Sequence, residues 1–393
     1  MSSLPAQPTP EGGALAETAI QPASQATSRV RIFFLDHLRV ALTILVVLHH
    51  LAVIYGANAA FYYLEFPKND PAALWVLGLF VLINQGYFMG FFFLISGYFT
   101  PGSFDHKGPA SFFKDRLLRL GIPLLVFLFV FNPLSSIGLY YWIDIKIPFI
   151  ALYPSVIGVG PLWFVEMLLF FCLGYILWRL SRSNSRQPGE RVYSPPSYPA
   201  IGLFILGLAA ASYLLRIVVP LGLTIPIFGF PTLSYLPQYL SFFILGAMAY
   251  RRNWFGTIPG SMGITGFVVA GVSTIVLFPL AILGGAAFLG QGTWPSAVYA
   301  LWDSTFSVGM CLGLITLFRH SFNRSGKLGR FLSRHAYTVY IIHVPVIVLL
   351  ALALRGIHPE ALLKFALAAL IGVPLCFALA FLVRKIPFAS RIL

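Results

Sequence analysis

DHLRVALTILVVLHHLAVIYG, residues 36–56, is an apolar run long enough to cross a bilayer as one helix, with an arginine and a histidine inside it. Arg39 and His50 are eleven residues apart, almost three helical turns. Their side chains therefore point to nearly the same face, about 16 Å apart along the axis. Asp36, three before Arg39, and Thr43, four after it, extend the stripe. A charge and a titratable imidazole within a membrane span are costly unless they face the protein interior, so the stripe reads as a functional site within a bilayer.

The composition agrees. The chain of 393 residues is 58% hydrophobic and 10% charged, with a mean hydropathy of +0.85, against about 25% charged residues in an average soluble domain. Apolar stretches of roughly 20 residues, each able to cross about 30 Å of hydrocarbon, recur along the sequence. They fall at about 33–56, 74–98, 118–142, 161–180, 200–220, 233–250, 261–283, 296–318, 335–354 and 361–383. Pro123 and Pro133 interrupt the third and Pro374 the tenth; neighbouring helices can satisfy the backbone groups that a proline frees. The expected fold is an all-α polytopic membrane bundle of about ten helices.

Basic residues set the expected orientation. With both termini cytoplasmic, the inner segments hold Arg29 and Arg31, then Lys107, Lys114, Arg116 and Arg119, then Arg179, Arg182, Arg186 and Arg191. Further along they hold Arg251 and Arg252, the five from Arg319 to Arg334, and Arg384, Lys385 and Arg391. Only Lys68, Lys146, Arg216, Arg355 and Lys364 fall outside or near outer helix ends. This alternation satisfies the positive-inside rule. The net charge of +14 is then a topology signal facing anionic lipid, and no nucleic-acid partner is needed to explain it.

Residues 1–28, rich in Ala, Pro, Ser, Thr and Gln, read as a disordered cytoplasmic tail without signal-peptide character. Residues 29–393 read as the transmembrane domain, with a cytoplasmic linker at about 181–199 and no extramembrane catalytic domain. Cys172, Cys311 and Cys376 lie within spans and form no CxxC pair, so neither a disulfide framework nor a metal site is expected.

Few polar side chains within the spans suit chemistry: His49 and His50 in the first, Glu166 in the fourth, Asp303 in the eighth and His343 in the ninth, beside Asn84, Gln85 and Asn132. A buried carboxylate is neutral or paired, so Glu166 and Asp303 are expected to meet an arginine, a histidine or each other. Each group also has a bland reading, as a packing histidine or a helix-linking hydrogen bonder. At the entry to the third span, Lys114, Arg116 and Arg119 mark a basic patch. Arg116 and Arg119 are three apart, hence neighbours on a regular helix, suited to a phosphate-bearing ligand; their plain reading is orientation.

These motifs resemble the acyltransferase-3 family, multi-pass enzymes that O-acylate surface or periplasmic carbohydrates. LDHLRVALTILVVLHH resembles the family's first helix, with an Arg or Lys, ten residues and a His. GYFMGFFFLISGYF, ending in Ser96 and Gly97, resembles its phenylalanine-rich second helix. KDRLLRLGIPLL resembles its Arg-x-x-Arg run before a proline, PLWFVEMLLFF its Trp-Phe motif, and AYTVYIIHVPVIV its Tyr-x-x-His-x-Pro ending, here Tyr340, His343 and Pro345. The resemblance covers about residues 31–385. The paired histidines and the lack of an appended esterase-like domain resemble the glucan biosynthesis protein C subgroup, linked to succinylation of periplasmic glucans.

The resemblance implies a bacterial inner-membrane enzyme. Acetyl- or succinyl-coenzyme A would be its donor, and a glucan or lipid-linked sugar in contact with membrane lipids its acceptor. Acyl transfer to a sugar hydroxyl needs a base and positive charge or donors at the developing oxyanion. The expected roles give His50 the acceptor hydroxyl, or a transient acyl group. Arg39 would hold the donor's phosphate or pantetheine arm, and Arg116 and Arg119, with Lys114 beside them, the coenzyme A phosphates. Glu166 or Asp303 would orient His50, and His343 would donate to the oxyanion. Arg216 or Arg355 would meet the distal carboxylate of a succinyl group. The rival readings are a transporter or flippase for an amphipathic or lipid-linked sugar, using Arg39, His50 and Glu166 as a proton or substrate path, and a non-catalytic subunit binding lipid-linked sugar.

Overall fold

The computed structural model describes residues 2, 32–56, 59–67, 70–143, 145–182, 193–223, 233–324 and 326–393. The tail expected at 1–28 falls outside these residues but for Ser2, as does 183–192 of the expected linker.

The described residues contain helices and no strand. We label the main helices α1 (Phe33–Tyr55), α2 (Pro71–Gln85), α3 (Phe88–Lys107), α4 (Pro109–Trp142), α5 (Trp163–Ser181) and α6 (Tyr198–Val218). They continue with α7 (Leu236–Arg252), α8 (Gly260–Ile282), α9 (Trp294–Ser321), α10 (Lys327–Ala353) and α11 (Ala361–Val383). Helices α2 and α3 together make one span, bent at Gly86 and Tyr87. Among the described residues nine helical stretches are long and apolar enough to cross a membrane. The tenth expected span is α7, whose 17 residues sit at the short end of what crosses a bilayer; the tight turn Leu233–Tyr235 leads into it. The chain is a multi-pass, all-α membrane protein.

The third span corrects one expectation. Pro123 and Pro133 do not break α4, which runs on through wider π turns at Leu117–Gly121 and Phe127–Phe131. A proline ring clashes with the carbonyl four residues back and lacks an N–H, and a turn closed by i→i+5 bonds relieves both faults.

Small residues set the closest helix approaches, as membrane packing favours. A Cβ on Gly97 of α3 would strike the Phe243 backbone of α7, and one on Gly246 would strike the Leu94 backbone in return. Helices α8 and α9 meet along Gly263, Gly266, Gly309 and Gly313. Leu203, Leu206 and Leu214 on α6 and Ile264, Val272 and Ile275 on α8 are exposed, the surface that hydrocarbon covers.

Helix ends meet in the groups that alternation requires. Asp105 at the end of α3 pairs with Arg179 of α5 at 3.0 Å and with Arg251 of α7 at 2.6 Å. His37, at the start of α1, lies 3.1 Å from the Arg324 carbonyl just past α9. At the opposite ends, Glu65 after α1 pairs with Lys364 at the start of α11. Within this bundle α1 is central, packed against α10, α11, α2 and α9, so most of its length is buried by protein.

Candidate active site

His50 is carried inward because α1 is predominantly apolar and buried by its neighbours. Its Nδ1 lies 3.0 Å from Nε2 of His343 on α10, a contact between residues 293 apart in sequence. His343 is fully buried, and its Nδ1 lies 2.7 Å from the Tyr340 carbonyl oxygen. These partners assign the tautomers of the neutral pair. A carbonyl only accepts, so His343 Nδ1 carries its proton and donates it to Tyr340. His343 Nε2 then bears a lone pair, and His50 Nδ1–H donates to it. The remaining nitrogen, His50 Nε2, is left with a lone pair for an incoming proton.

Aromatic rings wall this pair. Phe61 stacks on His50 with centroids 5.0 Å apart and planes 18° from parallel. His49 meets His50 edge-on at 5.4 Å and stacks on Phe88 of α3 at 4.9 Å. Tyr340 stacks near His343 and donates its hydroxyl to the Pro161 carbonyl at 2.5 Å. The position of His343 differs from the expected one: both ring nitrogens are engaged, Nδ1 with the Tyr340 carbonyl and Nε2 with His50, which leaves no N–H for an oxyanion.

Nearer the other end of α1 lies a cationic cluster. Arg39 sits 3.9 Å from Asp36, with its side chain 39% exposed. Arg39 and Arg116 both act electrostatically on Tyr337 of α10. The Arg116 guanidinium lies 4.9 Å over the Phe112 ring, and its buried Nε has no hydrogen-bond partner among the described residues. Arg119 does not join it. Its side chain is 58% exposed and bonds Asp115 at 3.1 Å, while its carbonyl accepts from Tyr337 at 2.7 Å. The π turn that begins at Leu117 changes the angular step, so the two arginines do not share one face as a regular helix would place them. Lys114 is exposed.

The two candidate carboxylates also part company. Asp303 is taken by Arg216, both fully enclosed. The Arg216 guanidinium lies 4.9 Å over Tyr235 and 5.3 Å over Tyr299, whose hydroxyls are 3.1 Å apart. Asp303 therefore does not orient His50, and Arg216 is not open to a succinyl carboxylate. Arg355 stacks on Tyr141 at 4.4 Å. Glu166 is half-buried on α5, and its Oε2 has no hydrogen-bond partner among the described residues, where an arginine, a histidine or Asp303 is the expected one.

Breaking the Arg216–Asp303 pair is costly. Asp303→Leu alone leaves an uncompensated buried guanidinium and is expected to cost about 3–5 kcal/mol, whereas the double change Arg216→Met with Asp303→Leu is expected to recover most of it. Thermal unfolding in detergent, with the two singles and the double in parallel, measures this; equal losses in single and double variants would contradict it.

Sequence reading located both histidines but missed Phe61 and the Tyr340 carbonyl. Tyr340 was visible within the Tyr-x-x-His-x-Pro run; Phe61 lies in a short loop with no pattern to mark it.

Comparison with known proteins agrees with this architecture. A family model described as an acyltransferase domain matches residues 32–384. The chain belongs to the acyltransferase-3 family. It is similar to proteins named glucans biosynthesis protein C from Salmonella schwarzengrund, Salmonella typhi and Salmonella typhimurium. Each is 29% identical over 237 residues, 56% of this chain and 58% of the relative. The chain thus spans somewhat over half the length of the curated relatives it matches. No solved structure matches.

Proposed function

We propose that this protein is a membrane O-acyltransferase that moves an acetyl or succinyl group from acyl-coenzyme A to a hydroxyl of a carbohydrate. The observation that carries the reading is the bonded series from the Tyr340 carbonyl through His343 to His50, which leaves a lone pair on His50 Nε2. A neutral imidazole so oriented can act as a general base toward a hydroxyl proton. In the transfer, His50 Nε2 takes the proton of the sugar hydroxyl as its oxygen attacks the thioester carbonyl carbon. The C–S bond then breaks, and the thiolate leaves with the proton returned from His50. While His50 is protonated, its Nδ1–H continues to donate to His343 Nε2, which stabilises the imidazolium.

The cationic cluster supplies the other half. Arg116, with a buried donor that has no partner among the described residues, and Arg39 on the stripe below His50 suit the phosphates or pantetheine arm of coenzyme A. The excess of basic residues on this side favours a cytoplasmic position for it, the compartment where acyl-coenzyme A is made. The names of the similar Salmonella proteins favour a glucan as acceptor, reached from the opposite face of a bacterial inner membrane.

The test uses the protein in sealed, oriented proteoliposomes. Labelled acyl-coenzyme A is supplied on the Arg39 side and an oligosaccharide acceptor on the other. The acylated sugar is expected on the acceptor side and free coenzyme A on the donor side. Both products on one side would remove the account of transfer across the bilayer.

A further inference from the structure

A base at His50 Nε2 would activate water as readily as a sugar hydroxyl, and water is far more abundant. A transferase must therefore close the approach to this nitrogen. Three rings surround His50. His343 and His49 belong to long helices, whereas Phe61 belongs to a non-helical strap, residues 59–67, at the end of α1 opposite Arg39.

The strap is pinned on both sides of the ring. Tyr62 donates its hydroxyl to Asn132 Oδ1 on α4, and Asn132 Nδ2 donates to the Val156 carbonyl at 2.6 Å, which fixes the orientation of the amide. Burial pushes the Tyr62 phenol well above its usual range, so it remains a donor. Glu65 pairs with Lys364, itself buried, and the Glu65 N–H donates to the Ile54 carbonyl at 2.8 Å. Phe61 itself packs against the buried pair Val53 and Leu64. A pinned backbone with a stacked, part-exposed ring lets the side chain yield while the strap stays in place.

We infer that Phe61, stacked on the face of the His50 ring, is the specificity-determining residue that favours a sugar ring over water at His50, the sugar entering from the end opposite Arg39. The inference rests on the acyl-transfer reading above. In the reaction it prevents, water would replace the sugar hydroxyl: its oxygen would bond to the acyl carbon, the C–S bond would break, and a free carboxylic acid and the coenzyme A thiol would result.

The experiment compares the wild type, Phe61→Ala and Phe61→Leu in nanodiscs. It follows coenzyme A release from acetyl- and succinyl-coenzyme A without acceptor, and the share of acyl groups found on an added glucan oligosaccharide. Phe61→Ala is expected to raise acceptor-independent release about tenfold and to lower the share on sugar. Phe61→Leu, which keeps an apolar cover, is expected to keep the wild-type partition. The added release should vanish in Phe61→Ala with His50→Ala, which shows that it passes through His50. An unchanged partition in folded Phe61→Ala overturns the inference while leaving acyl transfer intact, and so does extra release that survives loss of His50. Absence of any transfer by the wild type overturns the acyl-transfer reading and this inference together.

Discussion

Replacing His50 with alanine is expected to lower acyl transfer to sugar by about 10³-fold, within the 10²–10⁴-fold range that a positioned general base contributes. The KM for acyl-coenzyme A is expected to stay close to that of the wild type. The reason is spatial: the cationic cluster that suits the phosphates lies nearly three turns along α1, at Arg39 and Arg116. Loss of the base removes an interaction made in the transition state, so kcat and kcat/KM fall together. Stopped-time assays of coenzyme A release and of acylated oligosaccharide, on protein that remains monodisperse, measure both constants. A loss confined to KM would place His50 in donor binding instead.

The second large effect is expected at His343. Phenylalanine there keeps the volume of the ring but removes the acceptor that faces His50 Nδ1–H, and kcat is expected to fall by about 10²-fold. Without Nε2 of His343, the Val46 backbone carbonyl remains as a hydrogen-bond partner of His50, but the link that holds the ring across to α10 is lost. His343→Gln offers an amide oxygen as acceptor and an amide N–H for the Tyr340 carbonyl, and is expected to restore a substantial part of the lost rate. A merely structural role predicts the reverse order, with phenylalanine tolerated in a buried, apolar setting and glutamine not. The two variants, compared for kcat at equal thermal stability, decide between positioning and packing.

The bundle was legible because hydrocarbon imposes one rule on every span, about 20 apolar residues with backbone groups satisfied internally. That rule places α1, α9 and α11 within a few residues of where they lie, and the end of α10, whose start lies eight residues earlier than expected, at Lys327. It fails where local chemistry intervenes. Pro123 and Pro133 read as interruptions, yet π turns absorb them. The second span begins at Pro71 because Asp70 caps it, its carboxylate accepting from Ala73 N at 2.9 Å.

The site was legible in its parts and not in its wiring. His50 and His343 stood out as titratable groups in apolar runs, but their mutual contact crosses 293 residues of sequence, and helix periodicity carries no information at that range. The same limit misdirected Asp303 and Arg216: each is a charge in or beside a span, and each was given chemistry when they satisfy one another. Arg116 and Arg119 were paired on the geometry of a regular helix, which the π turn beginning after Arg116 does not keep. Arg39 was placed by spacing alone, since it shares a helix with His50.

The most direct measurement of the account is acyl transfer by purified protein in nanodiscs, supplied with acetyl- or succinyl-coenzyme A and a glucan oligosaccharide. Mass spectrometry of the sugar and thiol detection of free coenzyme A are read together for the wild type and His50→Ala. The account predicts ester-linked acyl groups on the wild-type product in step with coenzyme A release, both lost in His50→Ala. Folded wild-type protein that releases no coenzyme A and acylates no sugar with either donor would contradict it and return the intramembrane histidines to a role in transport.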